Sequence, residues 1–155
     1  MDAHFARSDQ SILIKGSGVY LDRFEARAPL REDAPLVLMP TRLVHEKGVG
    51  VFIDAAKILA AQGVEARFQI AGGVTTHNPK AISEAEMEAM LAGSSVEWLG
   101  RVSNMPALLA CSALVVYPSY YGEGIPRVLL EACAAGRAIV TTAPASGTIP
   151  PRMVL

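Results

Sequence analysis

From Leu36 onward, apolar residues follow two alternating rhythms, short β-branched runs and longer stretches with helical spacing. The run PLVLMPTRL (35–43) reads as a strand ending near Thr41. After Lys47-Gly48, the stretch VFIDAAKILAAQG places Val51, Phe52, Ala55, Ala56 and Leu59 at helical spacing, and Gly63 is a natural stop. ARFQIAGG is a second strand running into a loop. Ser83-Glu84-Ala85-Glu86 has capping-box spacing and opens a short helix ending near Gly93. SVEWLG is a third strand. Asn104 can cap the helix MPALLACS, whose first turn tolerates Pro106. ALVVYPS is a fourth strand, IPRVLLEACAAG a helix and RAIVTT a fifth strand.

Strands and helices that alternate in units of about 25 residues describe a βαβ array around a parallel sheet. The alternation-poor strands (LVLM, LVVY, AIV) predict a Rossmann-like α/β sheet with helices on both faces. Residues 1–35 fall outside the pattern and read as an extended lead-in, a former interdomain segment. Residues 36–155 form the α/β domain.

Composition narrows the function. The 155 residues suit one globular domain, and a 51% apolar share with a mean hydropathy of +0.31 excludes a disordered chain. Fourteen basic against fifteen acidic residues, with few aromatics, argue against a nucleic-acid partner. The apolar run Ala107 to Tyr117 is too short to cross about 30 Å of hydrocarbon. Cys111 and Cys133 lack metal-ligand spacing and read as small buried hydrophobes in a reducing cytosol. The scattered His4, His45 and His77 give little support to a zinc site.

An open parallel sheet binds ligands at the carboxyl ends of its strands, so chemistry is sought in the strand-to-helix loops. After the first strand, Arg42 and Lys47 can converge on one anion, a fork and a point charge suited to phosphate. Taken alone, they read as solvated loop charges, with Glu46 a convenient neighbour. After the fourth strand, Gly122 and Gly124 admit close backbone approach, and Pro126 stands where a helix begins. The free N–H groups of Arg127, Val128 and Leu129 would then favour a phosphate. Glu123 is either a partner of that positive end or an acceptor for a sugar hydroxyl. Glu131 is either the i,i+4 partner of Arg127 or a ligand for a ribose diol. Gly72-Gly73 lacks the GxGxxG order, so a dinucleotide site has poor support.

Glu123-Gly-Ile-Pro-Arg-Val-Leu-Leu-Glu131 resembles the E-x7-E motif of retaining glycosyltransferases of family four, which have the GT-B fold. TRLVHEKG is similar to that family's strand-end GRL…KG, with Thr41 where Gly is usual, and VEWLGRVSNMPALLACSALVVYPS and EACAAGRAIVTT follow its pattern. The likeness runs from about Gly16 to Thr142. The spellings AGGVTTHNPKAIS and YYGEGIP further resemble bacterial enzymes that extend lipid-linked capsule, exopolysaccharide or O-antigen precursors.

The resemblance implies that Arg42 and Lys47 hold the donor diphosphate and stabilise the leaving group. Glu123 would hold the donor sugar beside Gly124, Ile125 and Pro126. Glu131 would bind the ribose, and the backbone of Arg101 and Val102 would meet the base. The implied donor is a nucleotide-sugar, a UDP-sugar first, with no metal and no further cofactor. The implied place is the cytoplasm, peripheral at the inner membrane in a full-length enzyme. The family builds its site between two domains, so the chain is expected to be the donor half, shortened at its C-terminus. It would then partner a separate acceptor domain or itself. A relic or partner-binding module that keeps only the fold is the alternative. A glycosidase using Glu123 and Glu131 fits less well, because it would need no phosphate loop. A sugar-nucleotide epimerase of the same fold has no positive support.

Overall fold

All five apolar runs form strands of one sheet. In the computed structural model, residues 18–24, 34–75, 78–122 and 124–142 are described. The strands are β1 (Leu36–Pro40), β2 (Arg67–Ala71), β3 (Val96–Trp98), β4 (Leu114–Tyr117) and β5 (Ala138–Thr141). Between them lie α1 (Val49–Ala61), α2 (Glu84–Leu91), α3 (Met105–Cys111) and α4 (Arg127–Ala134). The order is β3-β2-β1-β4-β5, and every neighbouring pair is parallel. This is the Rossmann-like α/β architecture that the hydrophobic rhythm predicts. The chain reverses its direction of growth at β1, so the loops leaving β1 and β4 diverge and open a crevice between them.

Strand periodicity divides the core into two layers. Met39, Phe68 and Ile70 pack with Phe52, Ile53 and Ala56 of α1 and Met87 of α2. Leu38 and Val115 point to the other layer and meet Leu109 of α3 and Ala132 of α4. The capping residues read from the sequence do their work. Ser83 Oγ accepts from Glu86 N at 3.2 Å, and Asn104 Oδ1 accepts from Ala107 N at 3.1 Å. Arg137 is a buried guanidinium that donates to Ala135 O at 2.8 Å and Ser112 O at 2.9 Å. It thereby satisfies carbonyls beyond the ends of both α4 and α3.

Some expectations are corrected. α1 begins at Val49, and its inner face is Val49, Phe52, Ile53 and Ala56, while Val51 is 56% exposed and Ala55 is also exposed. Phe52 and Ala56 belong to both stripes, but the helix turns its Val49–Phe52–Ile53–Ala56 row to the core and leaves Val51 and Ala55 on the outer face. The sheet is not covered evenly on both faces. β5 carries exposed Ala138 and Val140, because the α1–α2 layer packs over β1–β3 and the helices beside β5 lie on the opposite face. Cys133 is exposed and Cys111 half-buried, so neither is the fully buried hydrophobe expected. Of residues 1–35, Val19 and Phe24 pack against the α3–α4 layer, and most of the remaining lead-in lies outside the described residues. The tail Ala145 to Leu155 also lies outside them.

Candidate functional site

The loop after β1 is a single 3-10 turn, His45–Lys47, followed by Gly48 in the left-handed region at φ 76°. A Cβ on Gly48 would lie 2.3 Å from Pro118 O, so only glycine lets this turn abut the end of β4. Neighbouring loops clamp the turn from two sides. His45 N donates to Lys80 O at 3.2 Å, Ile82 N donates to Leu43 O at 2.9 Å, and Lys80 Nζ pairs with Glu46 Oε1. From the β4 side, Tyr120 N donates to Glu46 O at 3.1 Å and Ser119 Oγ donates to the same carbonyl at 3.3 Å. The consequence is a Lys47 only 3% exposed, with its ammonium over the rings of Tyr117 and Tyr121. Arg42, by contrast, is exposed at the rim. The Glu46 carboxylate hydrogen-bonds Lys80, and that bond with its charge raises the Lys80 amine above its usual range.

The loops after β2 and β3 form the adjoining wall. A Cβ on Gly72 would sit 1.7 Å from Thr41 O, so the β1 and β2 ends touch through bare backbone. Gly72 N donates to Gly100 O at 2.8 Å, and Trp98 Nε1 donates to Gly72 O at 2.8 Å. These bonds lash the glycine pair to the end of β3. The Arg101 side chain lies along Gly73, where an added Cβ would be in ordinary van der Waals contact with it.

The third wall is the start of α4. Pro126 precedes the helix, and no side chain caps its first turn. Leu129 N donates to Pro126 O at 3.0 Å, which corrects the expectation that it is free for a ligand. Arg127 and Val128 are the first-turn residues at the opening. Arg127 Nε also donates to Glu131 Oε1 at 3.1 Å, with the Glu131 side chain 18% exposed and that of Arg127 62%. The i,i+4 pair therefore forms, on the face that borders the crevice.

The three walls enclose a cavity of about 530 Å³ at the carboxyl ends of β1 and β4. It brings together Arg42, Lys47, Arg101, Val102, Pro126 and Glu131 from three separate stretches of chain. Gly124 and Ile125 are exposed and do not line it, and Glu123 lies outside the described residues. Thr41, Gly72, Gly73, Met105, Tyr117 and Arg127 also line the cavity. Sequence reasoning passed over Met105 and Tyr117, set Gly72-Gly73 aside as a dinucleotide loop, and used Arg127 only for its backbone N–H and its spacing to Glu131. Gly72-Gly73 was detectable from its place directly after a strand, and Arg127 from its position one residue into the helix. Tyr117 carried no signal, since a tyrosine ending an apolar strand reads as core. Among the described residues, four cations against one carboxylate line this opening, a local excess that the whole-chain charge of −1 conceals. Such a wall can hold a diphosphate, while the Gly72–Gly73 and Val102 side presents backbone and apolar surface to a flat ring.

Residues 12–149 match the family described as glycosyl transferases group 1, and the chain belongs to that family. It is 39% identical over 108 residues to the N,N'-diacetylbacillosaminyl-diphospho-undecaprenol alpha-1,3-N-acetylgalactosaminyltransferase of Campylobacter jejuni, covering 70% of this chain and 26% of that protein. It is 30% identical over 141 residues to the putative colanic acid biosynthesis glycosyltransferase WcaL of Salmonella typhimurium, covering 86% of this chain and 34% of that one. The chain thus spans about a quarter to a third of these relatives' length. Among solved structures, Alr3699/HepE of Anabaena in complex with UDP-glucose superposes with a TM-score of 0.66 at 22% identity, covering 80% of this chain and 36% of that one. The fold is that of GT-B glycosyltransferases. No described helix is long and apolar enough to cross a membrane.

Proposed function

We propose that this chain is the donor-binding domain of a retaining glycosyltransferase of family four, one that transfers a sugar from a nucleotide-sugar to a lipid-linked saccharide or polysaccharide precursor. The observation that carries the reading is the cavity between the ends of β1 and β4, where a buried Lys47, Arg42 and Arg127 meet Glu131. The relatives named for transfer in undecaprenol-linked and colanic acid synthesis favour the acceptor class, and a neighbour solved with UDP-glucose favours the donor class.

In this reading, Lys47 and Arg42 bind the donor diphosphate and offset the negative charge that grows on it as the glycosidic bond breaks. Electrostatic stabilisation placed in advance of the reaction is usually the largest single contribution to such catalysis. Glu131, held by Arg127 through one oxygen, keeps its other oxygen for the ribose hydroxyls. The backbone of Arg101 and Val102 borders the base, and Glu123, with Gly124 to Pro126, holds the donor sugar. Retention follows if the acceptor attacks the face that the diphosphate leaves, with the departing phosphate taking the acceptor's proton. Acceptor recognition belongs, in this reading, to a separate acceptor domain.

Two charge-assisted hydrogen bonds and a helix end supply about 4–7 kcal/mol before association costs. UDP is therefore expected to bind this chain near the millimolar range. Titrating UDP into isotopically labelled protein should move the amides of Arg42, Lys47 and Gly124 to Glu131. A folded sample in which none of them moves would overturn the reading.

A further inference from the structure

Lys47 lines the cavity although its side chain is almost wholly buried, and two aromatic rings account for part of its surroundings. Its Nζ lies 5.4 Å from the ring centroid of Tyr117 and 5.8 Å from that of Tyr121. Tyr117 closes β4 and is buried, whereas Tyr121 stands in the β4–α4 loop and is 52% exposed. The same loop grips the turn that carries Lys47, through the two hydrogen bonds on Glu46 O and the contact of Gly48 with Pro118.

We propose that Tyr121 is a positioning residue that, with Tyr117, cradles the Lys47 ammonium for the diphosphate of a nucleoside diphosphate and ties that cation to the loop leading to α4. The proposal rests on the reading of Lys47 as a diphosphate ligand. A lysine stem loses much rotamer freedom when it is fixed, and a cation held beforehand loses less when its ligand arrives. Aromatic faces attract the ammonium through the ring quadrupole without cancelling its charge toward a phosphate. The loop partner also explains why an exposed tyrosine sits beside a buried lysine. Its ring borders the ammonium at nearly the same distance as that of the strand residue.

The test uses the whole 155-residue chain, with amide-shift titrations of UDP and of uridine, the latter carrying the base and ribose without phosphate. Tyr121→Leu is expected to weaken UDP binding about fivefold while leaving uridine binding unchanged. Tyr121→Phe, which keeps the ring and drops the hydroxyl, should stay within about twofold of the parent for both ligands. Loss of both ligands in parallel, or equal losses for the Leu and Phe variants, would overturn the cradle. The Lys47→Met variant separates the two readings. If it lowers the UDP-to-uridine ratio and Tyr121→Leu does not, the cradle is wrong and Lys47 still binds phosphate. If Lys47→Met leaves the ratio intact, the diphosphate reading fails first, and the cradle with it. The Lys47 ε-methylene protons offer a ligand-free check, since both rings should shift them upfield and Tyr121→Leu should reverse part of that shift. An unshifted parent resonance would also overturn the proposal.

Discussion

Gly48 carries two constraints at once, a left-handed backbone and a close approach to Pro118 that no Cβ could share. It is the hinge between the turn bearing Lys47 and the first residue of α1, so its conformation decides where the ammonium stands. Gly48→Ala is expected to destabilise the fold by about 2 kcal/mol, from strain at positive φ and from overpacking against the strand end. Urea unfolding should show the loss as a lower midpoint at unchanged slope. The burial of Lys47 beside it is a product of tertiary packing. A lysine in a Gly-flanked loop looks solvated on paper, yet 3% exposure makes it part of the wall. Arg127 and Glu131 teach a similar lesson. Their spacing allowed either a surface pair or a ligand site, and the structure makes the pair on the cavity's own border.

At the scale of elements, the chemistry depends on loops that hold one another rather than on any helix alone. The β1–α1 turn is clamped by the segment before α2 and by the segment after β4. One part of that clamp titrates. The Lys80 amine is raised above its ordinary value near 10.5, first by its hydrogen bond to Glu46 and then by the charge of that carboxylate. A raised amine contributes stability that is fully present below its unfolded value and is lost as pH climbs through the folded one. The melting temperatures of the parent and Lys80→Met should therefore differ near neutrality and converge as pH rises beyond about 10.5. A gap that persists at the alkaline end would place the effect of Lys80 in packing instead of charge. Arg137 plays the complementary part away from the site, joining the ends of α3 and α4 by its bonds to Ser112 O and Ala135 O.

For the whole molecule, charge distribution matters more than charge. The total is −1, but four cations and one carboxylate of the described residues gather at the cavity, so an anion meets a positive field that the sum hides. Raising salt from about 0.1 M to about 1 M shortens the screening length from about 10 Å to about 3 Å. UDP binding should weaken about threefold or more over that range, and uridine binding should hold nearly constant. Calorimetric or amide-shift titrations at the two salt concentrations measure the difference directly. Equal salt dependence for both ligands would mean that the cations do not act on phosphate.

The hydrophobic rhythm determined the strands and the helices between them, and polar residues at helix starts determined the caps at Ser83 and Asn104. These are local matters, set by periodicity of two or 3.6 residues and by side chains that bond within one turn. Conserving that rhythm also determined that the sheet is parallel, since helical crossovers leave no other short connection. What it could not supply was phase and convergence. The buried stripe of α1 is the row that meets β1, β2 and α2, and the helix begins just after Gly48, where Pro118 lies against the turn. The exposed face of β5 depends on how far a helix layer reaches across neighbouring strands. Arg42, Lys47, Arg101 and Glu131 are separate in the chain, and only the strand order β3-β2-β1-β4-β5 folds their loops onto one crevice. A sequence names the groups that can bind. The distances between them come from tertiary packing, because electrostatic and aromatic contacts act across space and leave no periodic mark on the chain.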